Sequence, residues 1–163
     1  MMVGGIFCDI QKAFDYVNHN ILLMKLKFYG ITGITYKLLK FYLKGRYQRV
    51  VLNNYSSSSC SNWGEITHSV PQGSILRPLL FLLYIKDLPK ITNDNSKIVL
   101  FAYDTSMIIT NPNPSNFEKK SVIKIIQDIN EWFNINLVSL KLDKMHFIQF
   151  VTKNSSSTDF AWK

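Results

Sequence analysis

An α+β architecture, with a mixed or antiparallel sheet and helices packed on one face, is predicted by three observations. Short apolar or β-branched runs alternate with stretches of helical periodicity. Their order is strand, helices, strands, helix, hairpin, helix, strand, with no internal repeat. The chain has 163 residues, 47% hydrophobic and 18% charged, which suits one domain with a real core rather than a disordered tail.

The elements follow in order. VGGIFCDI is short and apolar, which favours a buried strand of about six residues ending near Asp9. From Ala13 to Tyr29, apolar residues at Phe14, Val17, Ile21, Leu22 and Leu26 recur at helical spacing, and Gly30 supplies a stop. A second helix is expected over Tyr36 to Leu43, then a strand at RYQRVVL, where β-branched residues cluster. NNYSSSSCSNWGE is polar and unpatterned and reads as a surface turn or hairpin loop. EITHSV forms a short strand that PQG breaks. SILRPLLFLLYIKDL is then helical, with Pro78 in the first turn, where a missing N–H costs little. KIVLFAYDTSMIIT is two apolar half-strands around Tyr103 and Asp104, a hairpin with a tight polar tip. Between Asn116 and about Leu140, Phe117, Val122, Ile125, Ile126, Ile129, Trp132 and Phe133 mark one long amphipathic helix. MHFIQFV closes the fold as a strand, and residues 153–163 form a polar tail beyond a core of residues 1–152.

Charge narrows the partners without deciding between them. Nineteen Lys and Arg against eleven Asp and Glu leave +8, spread along the chain rather than blocked into a tail. Such a surface suits a phosphate backbone, or is simply basic. Cys8 and Cys60 lack metal-ligand spacing and read as thiols in a reducing compartment. His19, His68 and His146 show no metal spacing either, and no Ser-His-Asp or Cys-His arrangement is legible. No stretch approaches the ~20 apolar residues of a membrane helix. The expectation is a soluble intracellular protein, nuclear or cytoplasmic, with no membrane partner.

A strand ending in Asp9 and a hairpin tip offering Asp104 could bring two carboxylates to one sheet edge. Two acids so placed can hold paired magnesium ions about 3.5–4 Å apart, which activate an attacking hydroxyl and stabilise a leaving pyrophosphate. Taken alone the signal is weak, because an Asp after a strand also serves as a cap or turn residue.

The neighbouring residues carry more. FCDIQKAFDYVNHN, then GEITHSVPQGSILRPLLFLLYIKDLP, then FAYDTS, then WFNINLVSLKLDKMHFIQF follow one another in order. Together they resemble the palm motifs of non-LTR retrotransposon reverse transcriptases, from about Gly5 to Phe150. The resemblance implies a polymerase palm-like core, RNA-directed DNA polymerisation by two-metal nucleotidyl transfer, Mg²⁺ as cofactor, and RNA template and DNA primer as partners. No fingers, thumb or endonuclease region is legible in the chain, and apolar faces that would pack on them raise self-association.

The same resemblance implies roles residue by residue. Asp9 and Asp104 would be metal ligands. Phe14 would lie under the sugar and exclude ribonucleotides by leaving no room for a 2′-hydroxyl, unless it is a core contact. Gln72 and Gly73 would border the incoming nucleotide, Gly73 because backbone approaches the ligand closely. Lys144 would protonate the leaving pyrophosphate, or is a solvated Lys before a strand. Arg46 and Arg49 would contact template or primer phosphates, or one of them, on a strand, only pairs with an acid.

Departures from the pattern fall at chemically pointed positions. Ser69 and Arg77 stand where the family has Gly, Lys86 and Lys141 where it has Asn, and Met145 where it has Thr. Most consequentially, Tyr103 replaces the carboxylate shared by both metals, and a phenol with pKa near 10 is neutral at pH 7. Hard Mg²⁺ prefers carboxylate and water, and loss of one charge-stabilising donor typically costs ~10²–10³ in rate. Three readings follow: a working polymerase domain, a catalytically dead copy of a mobile element, or a retained nucleic-acid-binding protein.

Overall fold

The computed structural model describes residues 2–54, 57–92, 96–101, 104–111 and 119–150. They gather into two compact units, Met1–Gln11 with Asp87–Lys163, and Lys12–Lys86.

In the first, here the sheet unit, the central strand β1 (Met2–Gln11) is flanked by a hairpin and by the closing segment. The hairpin consists of β6 (Ser96–Phe101) and β7 (Asp104–Asn111), antiparallel with Phe101 opposite Asp104. β7 runs antiparallel to β1 from Met2↔Asn111 to Asp9↔Asp104. On the other edge β1 pairs with β9 (His146–Phe150) through Val3–Phe7 and with β8 (Ser139–Leu140) through Ile10 and Gln11. Every pairing is antiparallel, so the mixed alternative falls away. β1 is longer than the apolar run suggested, because β8 continues its ladder through Ile10 and Gln11 beyond the end of the β7 pairing.

Period-two alternation then separates the faces of this sheet. Ile6, Cys8, Ile10, Ile98, Thr105, Met107 and Ile109 are buried, whereas Phe7, Val99, Phe101, Asp104, Ile108, Ile148 and Phe150 are exposed. Helix α4 (Lys119–Ile135) contributes Val122, Ile125, Ile129, Trp132 and Phe133 to the core, at the three- and four-residue spacing of one helical stripe. It ends earlier than expected, at a turn in which Val138 N–H donates to the Phe133 carbonyl and Leu137 N–H to that of Asn134. Leu137 there has φ +54, a left-handed C-cap with no glycine to announce it.

In the second, helical unit, α1 (His19–Phe28), α2 (Gly33–Leu43) and α3 (Leu76–Ile85) bury Leu22, Leu23, Leu26, Leu43, Leu80, Phe81, Tyr84 and Ile85. α1 starts six residues later than its periodicity implied. Lys12 at φ +45 opens a turn, and the Asn18 side chain caps the helix by accepting from Asn20 and Ile21 N–H. Phe14 therefore precedes the helix instead of riding on it. Pro78 is the third residue of α3, within the first turn as expected. The expected strand at RYQRVVL is split into β2 (Tyr47–Gln48), paired with β5 (Gly64–Glu65), and β3 (Val51–Asn54), paired with β4 (Ser57–Cys60). The serine run is thus one arm of an exposed hairpin. The polar tail 153–163 lies outside the described residues.

Two positive-φ positions explain motif residues. Gly73 has φ +78, and a Cβ there would meet nothing within 4 Å, so backbone conformation and not crowding by protein calls for glycine. Ser69, where the resembled motif has Gly, sits at φ +77 while its N–H donates to the Val17 carbonyl. Left-handed backbone costs a non-glycine residue about 1–2 kcal/mol, against roughly 0.5–1 kcal/mol of extra unfolded freedom for glycine. Ser69→Gly is expected to stabilise the helical unit by about 0.5–1 kcal/mol, read as a higher denaturant midpoint at unchanged m-value.

Candidate active site

The end of the sheet unit gathers charge. β1 delivers Asp9 and β7 delivers Asp104 as directly opposed cross-strand partners. Paired positions of this kind put Cβ atoms ~4.5–5.5 Å apart, where like charges repel. The two expected acids are therefore neighbours, on the face of the sheet whose side chains are exposed. Tyr103, next to Asp104 in sequence, lies outside the described residues.

The pairing of β8 with β1 brings a third partner that spacing could not reveal. Beyond Ile10↔Leu140, the Lys141 N–H donates to the Asp9 carbonyl at 3.0 Å, continuing the ladder by one step. Its Nζ donates to Asp9 Oδ2, also at 3.0 Å. A short 3₁₀ turn, Leu142–Lys144, then bulges from the sheet before β9 begins. In that turn Lys144 places its Nζ 3.8 Å from the same Oδ2, with its side chain 59% exposed. Lys144 thus belongs to the acid cluster, through Asp9.

Divalent metals fit this donor set poorly. Among the described residues no group of three His, Cys, Asp or Glu could hold a metal ion. Of the two carboxylates present, one already carries an ammonium.

The helical unit holds the other expected residues. An open pocket of about 530 Å³ is lined by Arg46, Gln72 and Arg77 with Asp15, Glu65 and His68 among its other walls. Phe14 packs against buried Phe81, ring centroids 5.0 Å apart and planes tilted by 52°. Over the Phe14 ring, 4.7 Å from its centroid, lies the Arg77 guanidinium, which also donates to Asp15 Oδ1 at 3.4 Å. Phe14 is here a half-buried packing residue with a cation over its ring. Arg49 stacks on the Trp63 ring at 4.8 Å, so its partner is an aromatic ring rather than an acid. Gly73 shapes the turn before α3 and is not among the pocket's lining residues.

His19 serves structure. His19 is buried at the start of α1 with its Nε2 2.7 Å from the Ser69 carbonyl, and burial lowers its pKa below the ordinary 6.5. A histidine whose folded pKa is depressed stabilises the fold above its unfolded pKa and loses that contribution as pH falls below it. The helical unit is expected to be less stable at about pH 5.5 than at about pH 7.5, and His19→Asn to flatten the dependence in urea titrations. Burial also pushes the Cys8 thiol up to about 11, whereas Cys60 is exposed on its hairpin.

Comparison with known proteins supplies the family. Residues 3–160 match the family model described as reverse transcriptase (RNA-dependent DNA polymerase). A probable RNA-directed DNA polymerase from transposon X-element of Drosophila melanogaster is 40% identical over 87 residues, 53% of this chain and 9% of that protein. The RNA-directed DNA polymerase from mobile element jockey of the same species is 29% identical over 136 residues, 80% of this chain and 13% of that one. The chain thus spans about a tenth of the length of these relatives. Among solved structures, an apo telomerase from Candida tropicalis matches 98% of this chain and 33% of its own, with TM-score 0.64 and 14% identity, a likeness of fold.

Proposed function

The chain belongs to the reverse transcriptase (RNA-dependent DNA polymerase) family, in its non-LTR retrotransposon branch, and from that premise we propose that it is a palm core impaired in nucleotidyl transfer. The observation that carries this reading is the register Asp9↔Asp104, which builds the family's acid pair, beside a sequence that puts Tyr103 where the shared carboxylate belongs. Asp9 and Asp104 would be the residues facing a metal. With Tyr103 at the sequence position where the resembled motif has the shared carboxylate, binding of a divalent metal is weakened.

Arg77 supports the same reading from the helical unit. In the resembled motif its position is glycine, with no side chain to lie over Phe14. Here a guanidinium held by Asp15 covers the ring on which a sugar would pack. Gln72 and Arg46 supply amide and guanidinium donors for a phosphate in a polar pocket that also holds Asp15 and Glu65. Template RNA and primer DNA are the partners this reading assigns. No helix among the described residues is long and apolar enough to cross a membrane. Exposed Phe101, Ile148 and Phe150 on the sheet offer a surface for self-association.

Restoring the carboxylate tests the reading. Tyr103→Asp is expected to raise magnesium- or manganese-dependent incorporation on a primed RNA template by about 10²–10³ over the unmodified chain. Equal, metal-dependent incorporation by both would overturn it. A second reading, a nucleic-acid-binding remnant without catalysis, is favoured by the +8 charge, and predicts binding without incorporation in both proteins.

A further inference from the structure

The structure assigns Lys141 a role that the family pattern does not contain: its ammonium is a built-in cation that neutralises Asp9 and competes with divalent metal for the Asp9 carboxylate. This inference rests on the reading that Asp9 and Asp104 form the acid pair, and it adds a cause of impairment separate from Tyr103.

Three observations carry it. Lys141 is held at Asp9 twice, by its backbone N–H on the Asp9 carbonyl and by its Nζ on Oδ2, each at 3.0 Å. The contact is part-buried, with the Lys141 and Asp9 side chains 33% and 23% exposed, so solvent screens it less than a surface pair. Strand geometry also enforces it. The β8–β1 register puts residue 141 across from residue 9, and the 3₁₀ turn that follows brings Lys144 within 3.8 Å of the same oxygen. Two ammoniums therefore stand at Asp9, the carboxylate whose strand partner across β1 and β7 is Asp104. The like-charge repulsion that a metal would relieve is relieved by the chain itself.

Chemistry separates this arrangement from a metal site. A divalent ion reaching Asp9 Oδ2 must displace Lys141 Nζ or bind beside it, and a dication next to an ammonium is repelled. Asparagine, the residue of the resembled motif at this position, would offer a neutral amide and no such repulsion. The Asn-to-Lys and Asp-to-Tyr drifts act in one direction: the first adds a positive charge and the second removes a negative one.

Manganese binding to the full chain, followed by loss of the free-ion electron paramagnetic resonance signal, tests the assignment without requiring activity. Four proteins are compared: unmodified, Lys141→Asn, Tyr103→Asp and the double variant. The expected result is a gain in affinity of about tenfold on replacing Lys141 in either background. Lys141→Gln should behave as Lys141→Asn, and Lys141→Arg, which keeps the charge, as the unmodified chain. Circular dichroism checks that each variant is folded. Unchanged affinity on neutralising Lys141 in both backgrounds would overturn the inference, as would an equal gain in Lys141→Arg. Should Tyr103→Asp alone raise affinity, the tyrosine reading stands while Lys141 falls; a gain confined to the Lys141 variants upholds Lys141 and removes the tyrosine as a cause.

Discussion

Phe81→Ala is expected to destabilise the helical unit by about 3–5 kcal/mol, a large part of the roughly 5–15 kcal/mol that holds a domain folded. Phe81 is 1% exposed and packs in α3 beside Leu80, Tyr84 and Ile85, so its removal leaves a cavity that the surrounding helices fill only in part. It is also the wall against which Phe14 leans, 5.0 Å from ring to ring. Truncation should free Phe14 and with it the Arg77 stacked on that ring. Guanidinium unfolding followed by circular dichroism reads the loss. Phe41→Ala serves as the control, because Phe41 is 83% exposed on α2 and its truncation should stay within about 0.5 kcal/mol. Similar losses in the two variants would contradict the packing described.

The other large effect is in binding. A chain of net charge +8 that neutralises about six phosphates should lose ~10³ in affinity for a primed RNA template between 50 and 200 mM salt, through released counterions. Arg46→Ala should lower the slope of log K against log salt by about one, uniformly across sequences. Arg49 is already stacked on Trp63. Fluorescence anisotropy over the salt range measures both. Affinity that does not change with salt would remove nucleic acid from the partners.

What is legible in the sequence follows from local rules. The strand at Asp9, the hairpin at Asp104, the position of Pro78 and the face of α4 all express period-two or period-3.6 patterning that short windows contain. Where tertiary or backbone geometry intervenes, local patterning misleads. Apolar periodicity from Phe14 runs into α1, but Lys12 at positive φ and the Asn18 cap delay the helix to His19. RYQRVVL breaks in two because its halves pair with different partners, Glu65 and Gly64 for one and the serine arm for the other.

The candidate site divides in the same way. Asp9 and Asp104 can be proposed as neighbours from strand ends alone, and their register bears that geometry out. Lys141 cannot. Its contact with Asp9 spans 132 residues of sequence and depends on a two-residue strand, β8, that no periodicity marks. Arg77 over Phe14 spans helix and turn in similar fashion; its sole sequence signal is a bulky side chain in a glycine position. Ser69 shows why a motif glycine is informative even when it is absent: the backbone keeps φ +77 although the residue has changed.

With Tyr103 next to Asp104 in sequence and Lys141 on Asp9, this palm core is expected not to carry out nucleotidyl transfer at a useful rate. The most direct measurement is extension of a DNA primer on an RNA template by the unmodified chain, in magnesium and in manganese, next to Asp9→Ala. Extension by the two proteins at the same background level is the predicted result. Metal-dependent extension by the unmodified chain that vanishes in Asp9→Ala would contradict it.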